Sequence, residues 1–432
     1  LSSCRNAFLG LGLFSGVINV LMLTGAFFML QIYDRVLPSR SVPTLVGLAI
    51  LAGCLFLALA VLDMIRARIL ARIGSTLDEA LSDRVYDAVI RLPLTSASRG
   101  AGLGHVRDLD AVRSFLSGQG PTALFDLPWL PIYLVIIFAL HPVLGLTAVI
   151  GAIVLVSLTL MTEALTRRPI EAAMNFNTKR TGVAEASRRN AEVLAAMGMS
   201  ARLRQQWSAA NERYVASNLQ ASDVASGFGS ISRSLRLMLQ SAVLAVGAYL
   251  VIHGQATAGV IIAGSILVAR ALAPVDLAIA NWKGWIAARQ GWRRLSKLLD
   301  SLPLQKSPMR LPTPKRVLSV EGATAVPPGL NKAVVMDVSF SIAAGQGLGV
   351  IGSSGSGKSS LVRMLVGAWQ PAQGRVRLDG ADLSQWSPEL LGPHVGYLPQ
   401  NVELFSGSVA ENIARFDPAA TPETIIAAAK AA

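Results

Sequence analysis

Residues 348–360 read Leu-Gly-Val-Ile-Gly-Ser-Ser-Gly-Ser-Gly-Lys-Ser-Ser, and this stretch decides the fold of the carboxyl-terminal part of the chain. The apolar residues 348–351 predict a β-strand, and the apolar residues 361–366 predict a helix after the glycines. Glycine, glycine, lysine and serine at this spacing, between a strand and a helix, form the phosphate-binding P-loop pattern. The sequence therefore predicts a nucleotide site in an α/β domain.

The predicted phosphate loop assigns a role to each residue type. Its glycines let backbone N–H groups face phosphate oxygens, and the helix that follows adds its positive end. Lys358 is expected to reach the β- and γ-phosphates, and the Ser359 hydroxyl is expected to bind Mg²⁺. The candidate nucleotide-binding residues are Gly352, Ser353, Ser354, Gly355, Ser356, Gly357, Lys358, Ser359 and Ser360.

The composition of the chain is that of a membrane protein. Apolar residues make up 52% and charged residues 15%, against about 25% charged in soluble domains, and the mean hydropathy is +0.49. A helix needs about 20 apolar residues to cross the bilayer. Six segments meet this length, at residues 8–30, 45–65, 119–140, 143–165, 235–252 and 258–278.

The net charge of +13 raises the alternative of a nucleic-acid partner, so the position of the charge matters. Arginine and lysine concentrate in two long connections, residues 66–113 and 167–236, whereas residues 253–257 carry none. Basic connections stay in the cytoplasm, so both ends of the chain are expected to be cytoplasmic. The charge follows membrane topology without an aromatic-rich basic patch, and no nucleic-acid partner is expected.

A proline-rich stretch separates the two parts of the chain. Residues 301–316 contain four prolines, which is typical of a stiff linker. Residues 1–300 are therefore predicted to form an α-helical transmembrane domain of six spans with long cytoplasmic extensions. Residues 317–432 are predicted to form the amino-terminal part of an α/β P-loop NTPase domain.

Two charged residues interrupt the predicted spans at depth. At ~1.5 Å per residue, Asp126 and Arg270 lie about 20 Å from the nearest turn. Isolated charges there usually face a partner or a wet cavity, so both are expected to line a translocation path and to pair. The alternative is that their side chains reach toward the cytoplasmic interface.

The segments after the P-loop resemble ABC ATPases. Residues 374–380 (Gly-Arg-Val-Arg-Leu-Asp-Gly) look like the hairpin after their P-loop helix, and residues 395–400 (Val-Gly-Tyr-Leu-Pro-Gln) look like the strand that ends in their Q-loop glutamine. Residues 404–413 resemble the segment that exporters carry next. The resemblance implies ATP and Mg²⁺ as ligands, with Gln400 touching the metal and the attacking water and with Lys358 and Gln400 as catalytic residues.

The membrane part resembles the permease/ATPases of type I protein secretion, which export proteases, lipases and related polypeptides. The motifs are residues 29–39, 107–110 (Arg-Asp-Leu-Asp), 125–129 (Phe-Asp-Leu-Pro-Trp) and 280–283 (Ala-Asn-Trp-Lys). The resemblance implies an ATP-hydrolysing homodimer in the bacterial inner membrane that moves a polypeptide with a periplasmic membrane-fusion adaptor and an outer-membrane channel. Export of lipids or small molecules, or a non-transporting ATP-binding regulator, are the alternatives.

The sequence departs from the ABC ATPase pattern in two places. Residues 323–328 (Ala-Thr-Ala-Val-Pro-Pro) lack the aromatic that usually stacks on adenine, and the chain ends at Ala432 before the Walker-B aspartate, catalytic glutamate, signature loop and switch histidine. The 432-residue chain alone is therefore expected to bind Mg-ATP weakly at most, and not to hydrolyse it.

Overall fold

The computed structural model describes residues 5–95, 102–302, 311–400, 402 and 404–432. The chain divides into two compact units, Leu1–Pro303 and Leu304–Ala432, and each is described by itself. Residues 303–310, which form half of the predicted linker, lie outside the described residues.

The first unit is helical throughout its described residues. Helices α4 and α10 are the longest, with 54 and 53 residues, so each extends for about 80 Å at ~1.5 Å per residue. The helices are α1 (Arg5–Leu21), α2 (Thr24–Gln31), a π-helix (Ile32–Val36), α3 (Leu37–Ser39), α4 (Val42–Thr95), α5 (Gly102–Ser117), α6 (Gly120–Asp126), a 3₁₀ turn (Leu127–Trp129), α7 (Leu130–Leu140), α8 (Pro142–Arg189), α9 (Ala191–Ala196), α10 (Ser200–Ile252) and α11 (Ala258–Ser301).

Six helical segments among the described residues are long and apolar enough to cross a membrane, as the sequence predicts. They are Ala7–Ser39, Val42–Thr95, Gly120–Leu140, Pro142–Arg189, Ser200–Ile252 and Ala258–Ser301. The third is interrupted at Leu127–Trp129, where Pro128 and Pro131 cannot donate backbone hydrogen bonds.

Helix α11 occupies the centre of the first unit. In the most apolar stretch of α11, 56% of the residues are buried, against 6% in the most apolar stretch of α4. Leu267 and Leu272 of α11 pack with Tyr133 and Ile137 of α7 and with Leu144 of α8. The last predicted span is therefore the one that most of the other helices contact, while much of α4 faces outward.

The second unit contains a small antiparallel sheet with strand order β2-β1-β3-β4. Its core is formed by Val320, Ala323, Met364 and Val376, which lie on β1, β3 and α12. The elements are β1 (Val317–Ala325), β2 (Val335–Ala343), α12 (Lys358–Leu365), β3 (Gln373–Leu378), β4 (Ala381–Asp382), a 3₁₀ turn (Leu383–Gln385), α13 (Pro388–Leu391), a 3₁₀ turn (Gly392–His394), α14 (Val409–Ile413) and α15 (Pro422–Ala431).

Asp379 closes the predicted hairpin of residues 374–380, which the structure contains. Its carboxylate accepts hydrogen bonds from the backbone N–H groups of Lys315 at 2.6 Å, Arg316 at 2.9 Å and Val317 at 2.7 Å. The hydrogen bonds from Lys315 and Val317 lower the pKa of Asp379. The carboxylate thereby fixes the start of β1 against the β3–β4 turn.

The two strands predicted around the nucleotide site are not formed. Residues 348–351 and 395–398 have no strand assignment, and the side chains of Ile351 and Leu398 are 95% and 82% exposed. A buried strand needs hydrogen-bonded neighbours, and within the described part of the chain these segments have no strand partner. The prediction from apolar composition at residues 348–351 and the expectation from resemblance at residues 395–400 were therefore both wrong about local structure.

Candidate functional site

The P-loop has the backbone conformation that its glycines predict. Gly355 and Gly357 have φ values of 84° and 95°, in the region that side chains rarely adopt. A β-carbon at Gly357 would lie 2.8 Å from both the Val334 carbonyl oxygen and the Val335 side chain, so the loop also approaches strand β2 closely. Helix α12 begins immediately afterwards, at Lys358.

The start of α12 presents free backbone donors to the loop. The first helical hydrogen bond here runs from the Leu361 N–H to the Gly357 carbonyl at 2.9 Å. The N–H groups of Lys358, Ser359 and Ser360 precede it and have no acceptor within the helix. Together with the positive end of the helix, they form a site suited to phosphate oxygens.

The side chain of Lys358 folds back over the phosphate loop. Its Nζ donates to the carbonyl oxygens of Gly352 and Ser353, both at 2.8 Å. A phosphate between the loop N–H groups would offer this ammonium group a charged acceptor in place of two neutral carbonyls. The loop, the helix start and Lys358 therefore fit the triphosphate of a nucleotide.

The predicted metal ligands lie on separate segments. Ser359 is exposed on the first turn of α12, and Gln400 is exposed at the end of the irregular segment 395–400. Within the described ranges there is no group of three or more His, Cys, Asp or Glu residues able to hold a metal ion. Mg²⁺ typically binds through one or two protein ligands plus substrate phosphates, so the Ser359 hydroxyl remains a predicted ligand.

The Asn412 side chain binds the backbone of the segment that follows Gln400. Asn412 accepts from the Phe405 N–H at 2.9 Å and donates to the Phe405 carbonyl at 3.0 Å. A capping box between Ser408 and Glu411 starts α14 behind it. Leu404 and Phe405 remain 77% and 75% exposed, so the loop presents two apolar side chains at the surface.

Asp126 is the centre of a buried polar cluster, and its ionic partner is not the predicted Arg270. It accepts hydrogen bonds from Ser15 and, at 2.7 Å, from Asn19, both on α1. Arg66 on α4 forms an ion pair with it at 3.2 Å. All four residues are at most 8% exposed. The predicted pairing was therefore wrong: α1 and α4 lie closer to Asp126 than the charge on α11.

Sequence reasoning assigned Arg66 to the cytoplasmic charge and so missed its role. Arg66 also pairs with Asp63 at 2.6 Å, and the Asp63 side chain is 59% exposed. The signal that could have found it is an aspartate three residues before an arginine at the end of an apolar run, where two charges share one helix face. Arg270 itself is exposed on α11, amid buried neighbours.

The other membrane motifs also connect helices that are distant in sequence. Asp34 in the π-helix accepts from Thr257 Oγ1 at 2.6 Å and from the Gly259 N–H at 3.0 Å, and so caps α11. Lys283 donates to Asn218 of α10 at 3.1 Å. The sequence offered no mechanism for these motifs; the structure supplies one, because each fixes α11 to another part of the unit.

The motif at residues 107–110 acts at the other end of α11. Arg294 donates to Asp108 through Nε at 2.9 Å and through a terminal nitrogen at 2.5 Å. Burial alone would raise the pKa of Asp108, but Arg294 and His105 together hold it below the usual value. Gly291 permits this approach, since a β-carbon there would lie 3.0 Å from the Asp108 carbonyl oxygen.

Asp108→Ala is expected to destabilise the first unit by about 2 kcal/mol, the scale of hydrogen bonds to a charged group. Asp110→Ala is the matched control, because its side chain is 52% exposed and its pair with Arg113 is worth under ~1 kcal/mol. The folded pKa of Asp108 is lowered, so its contribution is complete above about pH 4 and disappears as the pH falls through the folded pKa. Thermal denaturation in detergent at several pH values measures this. An equal loss for both variants, or a difference that does not shrink as the pH falls below about 4, would contradict it.

Comparison with known proteins gives the class of the chain. Residues 8–274 match the ABC transporter transmembrane region, and residues 335–432 match the ABC transporter family. A solved structure of a bacterial Atm1-family ABC exporter with ATP bound is similar in fold, with a TM-score of 0.75 at 18% identity, over 99% of this chain and 77% of that chain. The chain belongs to the ABC transporter family and has the exporter fold.

Within that family the chain falls among the type I secretion proteins. It is 53% identical to the type I secretion system ATP-binding protein PrsD of Rhizobium meliloti, over the whole chain and 74% of that protein. It is 27% identical to the leukotoxin export ATP-binding protein LtxB of Aggregatibacter actinomycetemcomitans, and 28% identical to the cyclolysin secretion/processing ATP-binding protein CyaB of Bordetella pertussis. These matches cover 95% and 96% of this chain but only 59% and 58% of the two relatives.

Proposed function

We propose that this chain is the ATP-driven subunit of a polypeptide exporter in the bacterial inner membrane. The observation that carries the proposal is a P-loop at the start of α12 in the same chain as six membrane-length helices. Such a chain couples a nucleotide site to a membrane pathway. The relatives named for secretion of proteins favour a polypeptide over a lipid or a small molecule.

Lys358, Ser359 and the loop N–H groups are proposed to hold the phosphates and Mg²⁺ of ATP, with Gln400 approaching the metal once nucleotide is bound. Phosphoryl transfer also needs an acidic metal ligand and a positioned water. None of the residues proposed for this site is acidic, so we propose that the 432 residues alone bind Mg-ATP weakly at most and do not hydrolyse it.

Two copies of the chain are proposed to act together, with a periplasmic membrane-fusion adaptor and an outer-membrane channel as partners. Arg270 is proposed to line the polypeptide path, because it is an exposed charge on α11 next to the buried residues Ala271 and Leu272. The contacts of Asp126 instead favour a structural role, in which its carboxylate holds α1 and α4 together. A transport assay separates the three functions. Export of labelled polypeptide indicates a polypeptide exporter, export of labelled lipid indicates a lipid transporter, and export of neither indicates a non-transporting regulator.

The proposed orientation places the α8–α10 connection in the cytoplasm. With the native cysteines replaced, a cysteine at Ser200 is expected to remain unlabelled by an impermeant thiol reagent in intact cells, because translocating this basic connection is strongly disfavoured. Gln255, exposed between α10 and α11, is the matched external position. Its cysteine variant is expected to be labelled in the same cells, and Ser200→Cys only after permeabilisation. The reverse pattern would overturn the topology.

A further inference from the structure

Helix α4 carries an exposed apolar stripe along one face. Its members recur on one side of the helix and are 48–69% exposed: Val46, Ile50, Leu57, Val61 and Met64. From Val46 to Met64 the stripe extends for about 27 Å at ~1.5 Å per residue, close to the roughly 30 Å of the hydrocarbon core of a bilayer. Only 6% of the most apolar stretch of α4 is buried within the chain. The length and the chemistry of the stripe therefore fit lipid tails.

Two arginines continue this face of α4 beyond the stripe. Arg68 and Arg72 follow Met64 on the same side of the helix, and both are exposed. Among the described residues, neither has a hydrogen-bond or ion-pair partner. The next carboxylate along this face is that of Glu79, which accepts from Ser75 at 3.2 Å. Like charges four residues apart repel each other, and within the described part of the chain this pair has no counter-ion.

The arginine on the opposite face of α4 is paired inside the protein. Arg66 is 7% exposed and forms ion pairs with Asp63 and Asp126. One face of the helix therefore holds a buried arginine with two carboxylates, and the other presents two exposed arginines with none. This division indicates that Arg68 and Arg72 serve a partner outside the chain.

The two exposed arginines lie at the level of a phosphate layer. They are about 6 Å and 12 Å beyond Met64 at ~1.5 Å per residue, and the headgroups begin where the hydrocarbon core ends. Side chains of a helix lean toward its amino terminus, which for α4 is toward the membrane, so the guanidinium of Arg72 can reach back toward that of Arg68. A guanidinium binds phosphate through two parallel hydrogen bonds.

We propose that Arg68 and Arg72, together with the apolar stripe of α4, bind an anionic phospholipid. Its headgroup phosphate relieves the repulsion between the two arginines, and its tails cover the stripe. A zwitterionic lipid has the same phosphate but also carries an ammonium group, so it has no net charge to offer. The leaflet rests on the proposed orientation, which places this end of α4 in the cytoplasm.

Displacement of a fluorescent phosphatidylglycerol from the detergent-solubilised chain tests the proposal. Unlabelled phosphatidylglycerol is expected to bind at least about tenfold more tightly than phosphatidylcholine, with a smaller preference at about 1 M salt. Glycerol phosphate has the charge without the tails and is expected not to displace the probe. Each arginine near the surface contributes roughly fivefold in affinity, so the double variant Arg68→Gln with Arg72→Gln is expected to weaken phosphatidylglycerol binding roughly 30-fold. Phosphatidylcholine binding is expected to stay unchanged.

Arg289 and Arg293 supply the matched control. They too are exposed and four residues apart on one helix, α11. However, α11 is described throughout and has no exposed large apolar side chain, and both arginines lie beyond residue 278, where the predicted span ends. The double variant Arg289→Gln with Arg293→Gln removes the same charge from the chain and is expected to leave phosphatidylglycerol binding unchanged.

Four results would overturn the inference. Equal affinity for the two lipids would remove the charge preference, and equal weakening by both double variants would show attraction by net charge alone. Displacement by glycerol phosphate as effective as by phosphatidylglycerol would assign the arginines to a free phosphate. Efficient cross-linking of Met64→Cys between two chains, with the native cysteines replaced, would assign the stripe to a second copy. The assay needs neither ATP nor transport, so each of these results leaves the proposed export function standing.

Discussion

Lys358→Ala, in a protein extended to the length of the curated relatives, is expected to reduce ATP hydrolysis at least about 100-fold and to abolish export. The Lys358 ammonium lies over the loop within 2.8 Å of two of its carbonyl oxygens, where it would neutralise charge on the transferring phosphate. Removal of one preorganised donor from such a site typically costs a factor of 100 or more. Phosphate release and secretion of a reporter measure the two effects.

Two matched variants sharpen this expectation. Lys430→Ala removes an exposed lysine from the last turn of α15 and is expected to leave both activities unchanged. Lys358→Arg keeps the charge but replaces a compact ammonium with a planar fork, so it is expected to restore little. Because the hydrogen bonds of Lys358 are to exposed loop carbonyls, its loss should not lower the unfolding midpoint. Normal export by Lys358→Ala would remove the P-loop from the mechanism.

Asp126→Ala is expected to destabilise the membrane unit by about 3–5 kcal/mol, because it leaves the Arg66 charge buried without its partner. Arg66 and Asp126 are 7% and 8% exposed, and Ser15 and Asn19 would lose their acceptor as well. The loss of stability is measured as a decrease in the midpoint of thermal unfolding in detergent. Unfolding is monitored through the accessibility of buried side chains.

Asp63 supplies an internal control for this prediction. It pairs with the same arginine, Arg66, but its side chain is 59% exposed, so Asp63→Ala is expected to cost under about 1 kcal/mol. The double variant Arg66→Leu with Asp126→Leu removes both charges and is expected to recover most of the stability. If Asp126→Ala cost no more than Asp63→Ala, Asp126 would not be an anchor of α1 and α4.

Arg270→Gln is expected to leave stability unchanged while reducing export.

The sequence was sufficient for features that depend on local patterns. The six spans follow from the length of apolar runs, since the bilayer requires that length whatever the neighbours are. The conformation of Gly355 and Gly357 follows from residue type, and the hairpin at residues 374–380 was expected from its resemblance to ABC ATPases. For the spans and the glycines, the determining physics acts within about 20 residues of chain.

The features that were missed depend on distant partners. Residues 348–351 have a strand-like composition, but a strand exists only where another strand donates and accepts. Arg66 looked like one more cytoplasmic charge, because its partner Asp126 is 60 residues away on another helix. Likewise, nothing near Asp34 in the sequence points to Thr257, 223 residues later. Such contacts depend on how distant segments pack against one another, which hydrophobic periodicity does not encode.

Secretion of a polypeptide by intact cells tests the central claim most directly. Cells would carry the extended protein with the proposed adaptor and outer-membrane channel. A reporter enzyme fused to a candidate secreted polypeptide would be assayed in the medium against a cytoplasmic marker for lysis. We expect the reporter to reach the medium with the unmodified protein and to stay inside with Lys358→Ala. Equal secretion by the two proteins, or retention of the reporter while a labelled lipid is exported in an ATP-dependent manner, would contradict it.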